Sequence, residues 1–520
     1  MKYVPREKYQ SIIVIFCIAV LHISLGMYKI LPLRPQSIHQ WAQCDRASVA
    51  LNYYHDGMDF FHPAVHNLDN GTGVTGMEFP FVNYTAAMLY KIFGFHEWLY
   101  RLLTLLIYSI GLYCAFKIAN WWLKNYWQSI GVMLLFGCSP LLAFYSANFL
   151  PEPSTLGFSM LAWFFLTRFI DTNVQRWLWW CTAAMTLACL IKLSALINMP
   201  AMAVLIWMNT EQANRKTVFL NLFLKSVIIV GLTFSWYRYA MLLSIKTHSE
   251  IFLLKSMFPQ NWNNFKDVWN EMRAVWFMRI YNDFLLVLML ISLFVGVLAR
   301  KIISKQIFVI GGVLLFSVLA FLLSMWTQLR HHDYYMIPMY PLFLFGLIMI
   351  VSLINTTKQK VAPLLFLVFF IGFTSFQYYE AKTHIRTCYR KDSWKYSPIQ
   401  FDQFFDFKAQ LVNCGVKPSD RIISVFDHTP DNSLYLMDQK GVTVSDHDFD
   451  EFTNKYLNTG IFTYLIYNAA SEIEGYRFQP AKYQLQFVYR YGYISIYHIT
   501  LKLTPSQKSA IAPPCLSPWN

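Results

Sequence analysis

Residues 11–30 read SIIVIFCIAVLHISLGMYKI, a run of apolar residues in which Lys29 alone carries a permanent charge. A helix of about 20 apolar residues is long enough to span the hydrocarbon core of a bilayer. The stretch before it carries Lys2, Arg6 and Lys8, so the start of the chain superficially resembles a signal peptide. No small-residue cleavage site follows it. The stretch therefore predicts a first membrane span that is retained.

Apolar runs of similar length recur along the sequence. The chain of 520 residues is 56% hydrophobic and 14% charged, with a mean hydropathy of +0.35, whereas soluble domains carry about 25% charged residues. We predict an all-α polytopic membrane bundle of about 11–13 transmembrane helices. The eleven candidate spans are residues 11–32, 99–118, 127–146, 154–171, 177–192, 193–208, 218–240, 283–299, 306–326, 334–353 and 361–379.

The basic residues predict how the spans are oriented. The net charge of +14 could suggest a nucleic-acid partner, but the Lys and Arg residues are scattered between apolar runs. Six groups of basic residues at the ends of the spans fall on one side of the membrane if the N-terminus is cytoplasmic, as basic loops prefer. We therefore predict a multi-pass membrane protein with a cytoplasmic N-terminus and no nucleic-acid partner. The groups are Lys2, Arg6 and Lys8; Lys117 and Lys124; Arg168 and Arg176; Arg215 and Lys216; Arg300, Lys301 and Lys305; Lys358 and Lys360.

Two stretches between or after the spans are long enough to fold outside the membrane. The first loop, 33–98, contains helix-like pieces near 41–54 and 82–93. Residues 381–520 read as a small α/β domain, with the strand-like runs RIISVF, VTV, FTYLIYN, LQFVYRYG and YISIYHI and the helix-like runs FDQFFDFKAQLVNCG and DEFTNKYLNTG. We predict a membrane module over 1–380 that includes the first loop 33–98, and a soluble extracytoplasmic α/β domain over 381–520. The nine cysteines contain no CxxC and predict neither a disulfide framework nor a zinc finger.

Three acids stand out on the predicted outer side of the membrane. They are Asp45 in HQWAQCDRASVALNYY, Glu78 in GMEFPF and Glu152 in NFLPEP. Each also has an ordinary structural interpretation. Asp45 would be a solvated acid on an interfacial helix, Glu78 would belong to a turn, and Glu152 would stabilise a helix N-terminus. Carboxylates near a bilayer tend to face a cavity or a partner, so all three are candidate site residues.

Basic and histidine side chains occur on the same predicted side. Lys192 in ACLIKLSAL could snorkel from a span end, but its outer position favours binding a phosphate. The turn LRHHDYYMIP adds a set of candidate substrate-binding residues: Arg330, His331, His332, Asp333 and Tyr334. A divalent metal ion is left open, with Glu78 and His332 as its candidate ligands. Together the groups suit transfer chemistry on a lipid-anchored substrate with a phosphate head.

The motifs also resemble those of a known family when they are taken in order. HQWAQCDRASVALNYY, GMEFPFVNYTAAMLYKIFGFHEWLYR, FYSANFLPEPSTL, LIKLSAL and RHHDYYMIP resemble bacterial membrane glycosyltransferases. These are related to the protein O-mannosyltransferases and to the aminoarabinose transferase that modifies lipid A (glycosyltransferase family 39). The resemblance covers about residues 1–380. It implies a GT-C fold and an extracytoplasmic reaction that uses a polyprenyl-phosphate sugar.

The resemblance also implies roles for particular residues. Asp45 matches the expected catalytic acid in the first outer loop and would act as general base, and Glu152 matches a second acid before a span. Arg46 follows Asp45 where the mannosyltransferases carry a Glu, and Phe79 stands where the aminoarabinose transferase carries a phosphate-contacting Lys. The donor phosphate must then meet another residue: Arg46, Lys192, Arg330 or a His. The acceptor would be an extracytoplasmic glycan, lipid or protein.

Other functional classes fit the sequence less well. A transporter or flippase of lipid-linked or small-molecule substrates is the main alternative, but the sequence shows no internal repeat and no matching pair of broken spans. A polymerase or ligase of lipid-linked oligosaccharides would place its largest loop late in the chain, whereas here it comes first. A catalytically inactive scaffold would not need both Asp45 and Glu152.

Overall fold

Helices dominate the part of the chain that the computed structural model describes: residues 7–212, 215–249, 251–252, 257–298, 304–356, 361–390, 399–445, 455–457, 459–471, 480–483 and 485–499. The helices are α1 Glu7–Leu25, α2 Met27–Ile30, α3 Gln40–Asp56, α4 Phe81–Phe93, α5 Glu97–Leu123, α6 Tyr126–Gly137, α7 Pro140–Tyr145, α8 Glu152–Thr172, α9 Gln175–Ile191, α10 Met199–Met208, α11 Arg215–Thr247, α12 Trp262–Glu271, α13 Phe277–Ile280, α14 Asp283–Leu298, α15 Lys305–Ser324, α16 Tyr340–Ile354, α17 Ala362–Cys388, α18 Phe407–Asn413 and α19 Asn432–Met437.

Helices occupy all eleven positions at which the sequence predicts a membrane span. Among the described residues, five helical segments are long and apolar enough to cross a membrane by length and composition: Glu97–Leu123, Arg215–Thr247, Lys305–Ser324, Asp333–Asn355 and Ala362–Cys388. The prediction of an all-α polytopic bundle is confirmed. Of the basic residues that predict its orientation, Lys2, Arg6, Arg300, Lys301, Lys358 and Lys360 lie outside the described residues.

Local chemistry explains an interruption within one predicted span and the boundary between two others. The span over 127–146 is divided into α6 and α7 at Ser139, whose side chain accepts from the backbone N–H of Leu142 and so begins a new helix before Pro140. The region 177–208 changes at Lys192, which has extended backbone angles between α9 and a 3₁₀ helix over Leu193–Asn198.

The contacts between residues divide the chain into two compact units. The helical unit comprises Met1–Pro32, Trp98–Tyr239 and Leu254–Thr387, and the α/β unit comprises Leu33–Glu97, Ala240–Leu253 and Cys388–Asn520. The first loop thus folds with the C-terminal segment, although the two are some 300 residues apart in the sequence.

Small residues let two helices of the helical unit approach closely. Gly111 of α5 faces Gly157 of α8, and a Cβ atom added to Gly157 would lie 2.5 Å from the carbonyl oxygen of Ile107. Gly and other small residues are common at such crossings in membrane proteins, because they allow backbones to touch. This close packing fixes the position of α8, whose first residue is Glu152.

A five-stranded sheet organises the α/β unit. Its strands are β1 Ile422–Val425, β2 Gly441–Val444, β3 Tyr464–Asn468, β4 Leu485–Tyr491 and β5 Ile494–Ile499, in the order β2-β1-β3-β5-β4. The pairs β1–β2 and β1–β3 are parallel, whereas β3–β5 and β4–β5 are antiparallel. All five strands coincide with strand-like runs of the sequence, so this part of the prediction is confirmed.

The first loop continues this sheet at its β2 edge. Gly441 donates its backbone N–H to His66 (3.1 Å) and accepts from the N–H of Leu68 (2.6 Å). The helices α3 and α4 coincide with the two helix-like pieces predicted for the loop. In the C-terminal segment, the predicted helix over 401–415 is a 3₁₀ helix, Ile399–Phe405, followed by α18. The predicted helix over 450–460 lies largely outside the described residues, and α19 was not predicted.

Candidate active site

Asp45 lies in the middle of α3 and is completely buried. Neither of its carboxylate oxygens accepts a hydrogen bond from any described residue. The nearest cation is the guanidinium of its neighbour Arg46, with Nη1 3.9 Å from Oδ2 of Asp45. A buried carboxylate normally gathers several donors, so an unsatisfied one is an exception that needs an explanation.

Arg46 and Glu78 form a buried ion pair beside Asp45. Nη2 of Arg46 donates to Oε1 of Glu78 at 2.8 Å, and the guanidinium lies over the ring of Phe252, 4.6 Å from its centroid. The side chain of Asn83 donates to the backbone carbonyl of Arg46. Glu78 thus takes up the charge of Arg46, leaving Asp45 only a longer-range attraction to it.

Two further buried acids of the α/β unit come from the C-terminal segment, just before and at the start of α19. Asp431 accepts a hydrogen bond from the backbone N–H of His66 at 3.3 Å, and Asp427 accepts from the N–H groups of Thr429 and Ser433. The thiol of Cys44, next to Asp45, donates to the side-chain oxygen of Asn432 at 2.9 Å. No sequence pattern indicated that these acids of the C-terminal segment lie in the same unit as Asp45.

The surroundings of Asp45 favour its protonated form. Burial raises the pKa of Asp45 from its ordinary value of 3.8 to about 7; Arg46 opposes this shift, whereas Asp427 and Glu78 add to it by charge repulsion. Burial also raises the pKa of Asp431 well above its usual range, and the charge of Asp45 adds to that effect. A carboxyl group that titrates near neutral pH is suited to accept and release a proton during catalysis.

Glu152 and Lys192 form an ion pair within the helical unit. The ammonium group of Lys192 lies 2.9 Å from Oε1 of Glu152, which is fully buried at the first residue of α8. Lys192 also lies over the ring of Tyr335, 5.1 Å from its centroid. The extended backbone at Lys192, between α9 and the following 3₁₀ helix, allows its side chain to reach Glu152.

Asp333 is the centre of a second buried cluster in the helical unit. It begins a 3₁₀ helix, Asp333–Met339, and is fully buried. The hydroxyl of Tyr145 donates to one of its oxygens at 2.5 Å, and Arg279 donates to the other at 3.0 Å. Asp333 is therefore satisfied by its own neighbours, and Arg279 and Tyr145 are partners that sequence spacing did not indicate.

The remaining residues of the RHHDYY turn differ in exposure. Arg330 and His331 are exposed, whereas His332 is half-buried and bonds the carbonyl of Gln328 through Nδ1 at 2.8 Å. Tyr334 is buried, with its ring centroid 5.5 Å from that of His332 and 6.1 Å from that of Tyr145. Arg330 is not part of any ion pair with a described residue.

The described residues give no support to a metal centre. No group of three or more His, Cys, Asp or Glu side chains among them is arranged to hold a metal ion. Glu78, one of the two candidate ligands, is instead the partner of Arg46.

In the structure, the candidate site residues thus form separate groups. Asp45, Arg46 and Glu78 lie together in the α/β unit, and Glu152 pairs with Lys192 in the helical unit. The turn over 330–334 belongs to the helical unit as well. An assignment of all of them to one reaction stays a prediction.

Comparisons with known proteins agree with the fold. Residues 77–237 match the family described as dolichyl-phosphate-mannose-protein mannosyltransferase. The search of the curated proteins found no match to this sequence. ArnT from Cupriavidus metallidurans in its apo state is similar in structure, with a TM-score of 0.59 at 12% identity over 94% of this chain and 98% of ArnT.

Two further solved structures give similar values. ArnT bound to undecaprenyl phosphate has a TM-score of 0.57 at 12% identity over the same shares of the two chains. The arabinofuranosyltransferase AftD from Mycobacteria has a TM-score of 0.54 at 12% identity, over 96% of this chain and 40% of AftD. The resemblance that the motifs indicate is confirmed: the chain has the GT-C fold of these membrane glycosyltransferases.

Proposed function

We propose that the chain is an integral membrane glycosyltransferase that moves a sugar from a polyprenyl-phosphate donor to an acceptor outside the cytoplasm. The acceptor is a glycan, a lipid or a protein, and the membrane is the inner membrane of a bacterium. The N-terminus would be cytoplasmic and the C-terminal segment periplasmic. Support comes from the fold, from the family match over residues 77–237, and from ArnT, which has been solved with undecaprenyl phosphate bound.

The observation that carries the proposal is the unsatisfied carboxylate of Asp45. Burying a polar group without a hydrogen-bond partner costs roughly 1–3 kcal/mol, and more for a charged group. Folded proteins keep such costly arrangements mainly where function requires them. An acceptor hydroxyl or amine supplies the hydrogen-bond donor that the carboxylate of Asp45 lacks. The same hydrogen bond brings the acceptor within reach of Asp45 as its general base.

The reaction then needs a single displacement. Asp45 accepts the proton from the acceptor as the acceptor oxygen or nitrogen forms a bond to the anomeric carbon of the sugar. The bond between that carbon and the phosphate oxygen breaks, and polyprenyl phosphate leaves with the electron pair. Attack from the side opposite the leaving group inverts the anomeric configuration. Glu152, as a second buried acid, is the alternative base.

The departing phosphate needs a cation that is not already neutralised. Arg46 is paired with Glu78, and Lys192 with Glu152, at 2.8 and 2.9 Å. Of the candidates, Arg330 is exposed and pairs with no described acid. We therefore assign Arg330 to the donor phosphate and place Arg46 and Lys192 as partners that hold Glu78 and Glu152.

The burial of Asp45 places a condition on this mechanism. Because Asp45 has no solvent-accessible surface, an acceptor reaches it only if a neighbouring segment moves. We propose that the start of α19 is the segment that moves. Its first residue, Asn432, accepts a hydrogen bond from the thiol of Cys44, the neighbour of Asp45, so this contact has to open.

The test is sugar transfer by purified full-length protein in lipid nanodiscs, with a radiolabelled polyprenyl-phosphate sugar as donor and membrane extract as acceptor. Asp45→Asn keeps the shape of the side chain and removes the base, so turnover should fall about 10²–10⁴-fold while donor binding is retained. The matched control is Asp59→Asn, the same change at an exposed acid whose partner is His62.

Two outcomes would contradict the proposal. Full turnover by Asp45→Asn removes Asp45 from the mechanism and leaves Glu152 as the candidate base. Passage of the labelled donor across the nanodisc or liposome bilayer, without transfer to any acceptor, instead indicates a flippase.

A further inference from the structure

A polar cavity lies in the helical unit at the end of α8 opposite Glu152. It has a volume of about 460 Å³ and is lined by residues that include Lys117, Trp121, Lys124, Trp127, Arg168 and Asp171. Arg168 is sixteen residues after Glu152 on the same helix, which corresponds to about 24 Å at 1.5 Å per residue. The cavity, which we call the headgroup pocket, is therefore separate from Glu152 and Lys192 within the helical unit.

The headgroup pocket carries an excess of positive charge. Its lining includes three cations, Lys117, Lys124 and Arg168, and a single acid, Asp171. Asp171 accepts a hydrogen bond from the indole N–H of Trp121 at 2.6 Å, which ties the end of α8 to α5. None of the three cations forms an ion pair with a residue that the structure describes.

Helix dipoles do not offset this charge. The helices α5 and α8 end beside the pocket, at Leu123 and Thr172, whereas α6 begins there at Tyr126 and the first turns of α1 contribute Gln10. The positive and negative helix ends therefore roughly cancel, since each terminus carries about half a charge. The side chains decide the sign of the potential, and that sign is positive.

Aromatic rings lie beside two of the cations and indicate at which level of the membrane the pocket lies. Lys124 lies over Trp121, and Arg168 over Trp177, with charge-to-centroid distances of 5.4 and 5.7 Å. Trp127 is exposed at the start of α6. Tryptophan rings beside Lys and Arg at the ends of apolar helices are typical of the level of the lipid headgroups. The helix α5, which ends here, is one of the five segments apolar enough to cross a membrane.

We propose that the headgroup pocket binds the phosphate headgroup of an anionic membrane lipid. A basic pocket between membrane helices, on the side where basic loops gather, suits such a headgroup. Lys117, Lys124 and Arg168 also belong to the groups that the sequence predicts to be cytoplasmic. The acyl chains would lie along the apolar surfaces of the helices, which a soluble anion could not use. The lipid would anchor the helices α5, α6 and α8 at that face.

The chain offers a matched pair of variants for the test. Arg168 and Arg176 are both exposed, and both lie over the ring of Trp177, at 5.7 and 5.1 Å, but only Arg168 lines the pocket. Arg168→Gln and Arg176→Gln therefore remove the same charge and the same ring contact. A third variant, Lys117→Gln combined with Arg168→Gln, removes two cations of the lining.

The measurement is native mass spectrometry of the full-length protein in detergent, titrated with phosphatidylglycerol or with phosphatidylcholine. The wild type should retain phosphatidylglycerol in preference to phosphatidylcholine. Each cation removed from the pocket should weaken retention about fivefold, so Lys117→Gln with Arg168→Gln weakens it roughly 25-fold. Arg176→Gln should behave as the wild type. Equal melting temperatures in lipid-free detergent show that the variants are folded.

Two results would overturn the proposal. Equal loss of phosphatidylglycerol in Arg168→Gln and Arg176→Gln would show that binding of the lipid depends on general surface charge rather than on the pocket. Displacement of the lipid by millimolar inorganic phosphate would show that the pocket recognises a free anion. Neither result bears on the Asp45 reaction, so the two proposals stand or fall separately.

Discussion

At Asp45 the fold holds a carboxyl group where its charged form is unfavourable. Its pKa of about 7 in the folded protein, against an ordinary value of 3.8, means that folding favours the protonated form. In acid below about pH 4 both the folded and the unfolded chain carry the proton, and the group has little effect. As the pH rises towards 7, the unfolded chain releases the proton first, so the folded state loses stability. Above about pH 7 the loss is complete.

This linkage predicts that Asp45→Asn stabilises the protein while it abolishes transfer. The melting temperature of the variant should equal that of the wild type near pH 4 and exceed it increasingly up to about pH 7. Wild-type turnover should rise through the same pH range, because only the deprotonated form accepts a proton. Differential scanning fluorimetry from pH 4 to 8 makes the comparison. A variant less stable than the wild type at pH 8 would show that the carboxylate is satisfied by a partner.

Arg330, unlike Asp45, is exposed, and it forms no ion pair with a described residue. If it meets the donor phosphate, Arg330→Gln should weaken donor binding roughly tenfold to a hundredfold, which is the usual value of one hydrogen bond to a charged group. Arg330→Lys should recover part of the loss, because it keeps the charge without the planar donors. Binding of radiolabelled donor to nanodiscs measures the effect. Unchanged affinity in Arg330→Gln would leave His331 as the next candidate.

At the scale of elements, α3 and α19 are joined by specific contacts beside Asp45. The Cys44 thiol of α3 donates to Asn432 of α19 at 2.9 Å, and Asp431, just before α19, accepts from the backbone of His66 in the loop after α3. Further along the same interface, Nε2 of His66 lies 3.3 Å from Asp438, just after α19. These contacts close off the carboxyl group, so the proposed acceptor has to separate the two helices.

A disulfide between the two helices tests whether they must separate. The variant Asn432→Cys places a second thiol beside Cys44, and oxidation should then lock α3 to α19. We expect the locked protein to lose transfer, and a reductant to restore it, with donor binding unchanged in both states. Asn432→Ser serves as control, because it shortens the side chain and cannot cross-link. Full transfer by a protein in which mass spectrometry shows Cys44 bonded to the introduced cysteine would exclude opening at this point.

At the scale of the whole molecule, the features that the sequence predicted depend on neighbouring residues. The contacts that it did not predict join residues far apart in the chain. The eleven helical segments and five strands each follow from a run of neighbouring residues, such as the apolar run that forms α1. The acids that interact electrostatically with Asp45 do not, because Asp427 and Asp431 come almost 400 residues later and precede a helix of six residues. No periodic pattern marks so short a helix. Arg279 and Asp333 are likewise joined only by the fold.

The grouping of the first loop with the C-terminal segment leads to a prediction about cooperativity. If the α/β unit unfolds as one body, damage to β2 should expose the amides of α3, far away in the sequence. Gly441→Ala causes such damage, because a Cβ atom at this position would strike the carbonyl oxygen of Ile422 on β1. The same residue holds the backbone of His66 and Leu68. Loosening the sheet there should release the first loop at the same time.

Hydrogen exchange followed by mass spectrometry of the full-length protein makes the measurement. In Gly441→Ala, peptides from β1, β2 and α3 should lose protection together, whereas peptides from α8 keep theirs. Gly231→Ala is the control, since a Cβ atom there meets nothing within 4 Å. Transfer should fall with the protection of α3, because Asp45 lies on that helix. If α3 stays protected while β2 exchanges freely, the first loop folds without the C-terminal segment, and the boundary predicted near residue 380 would describe the molecule better than the two units do.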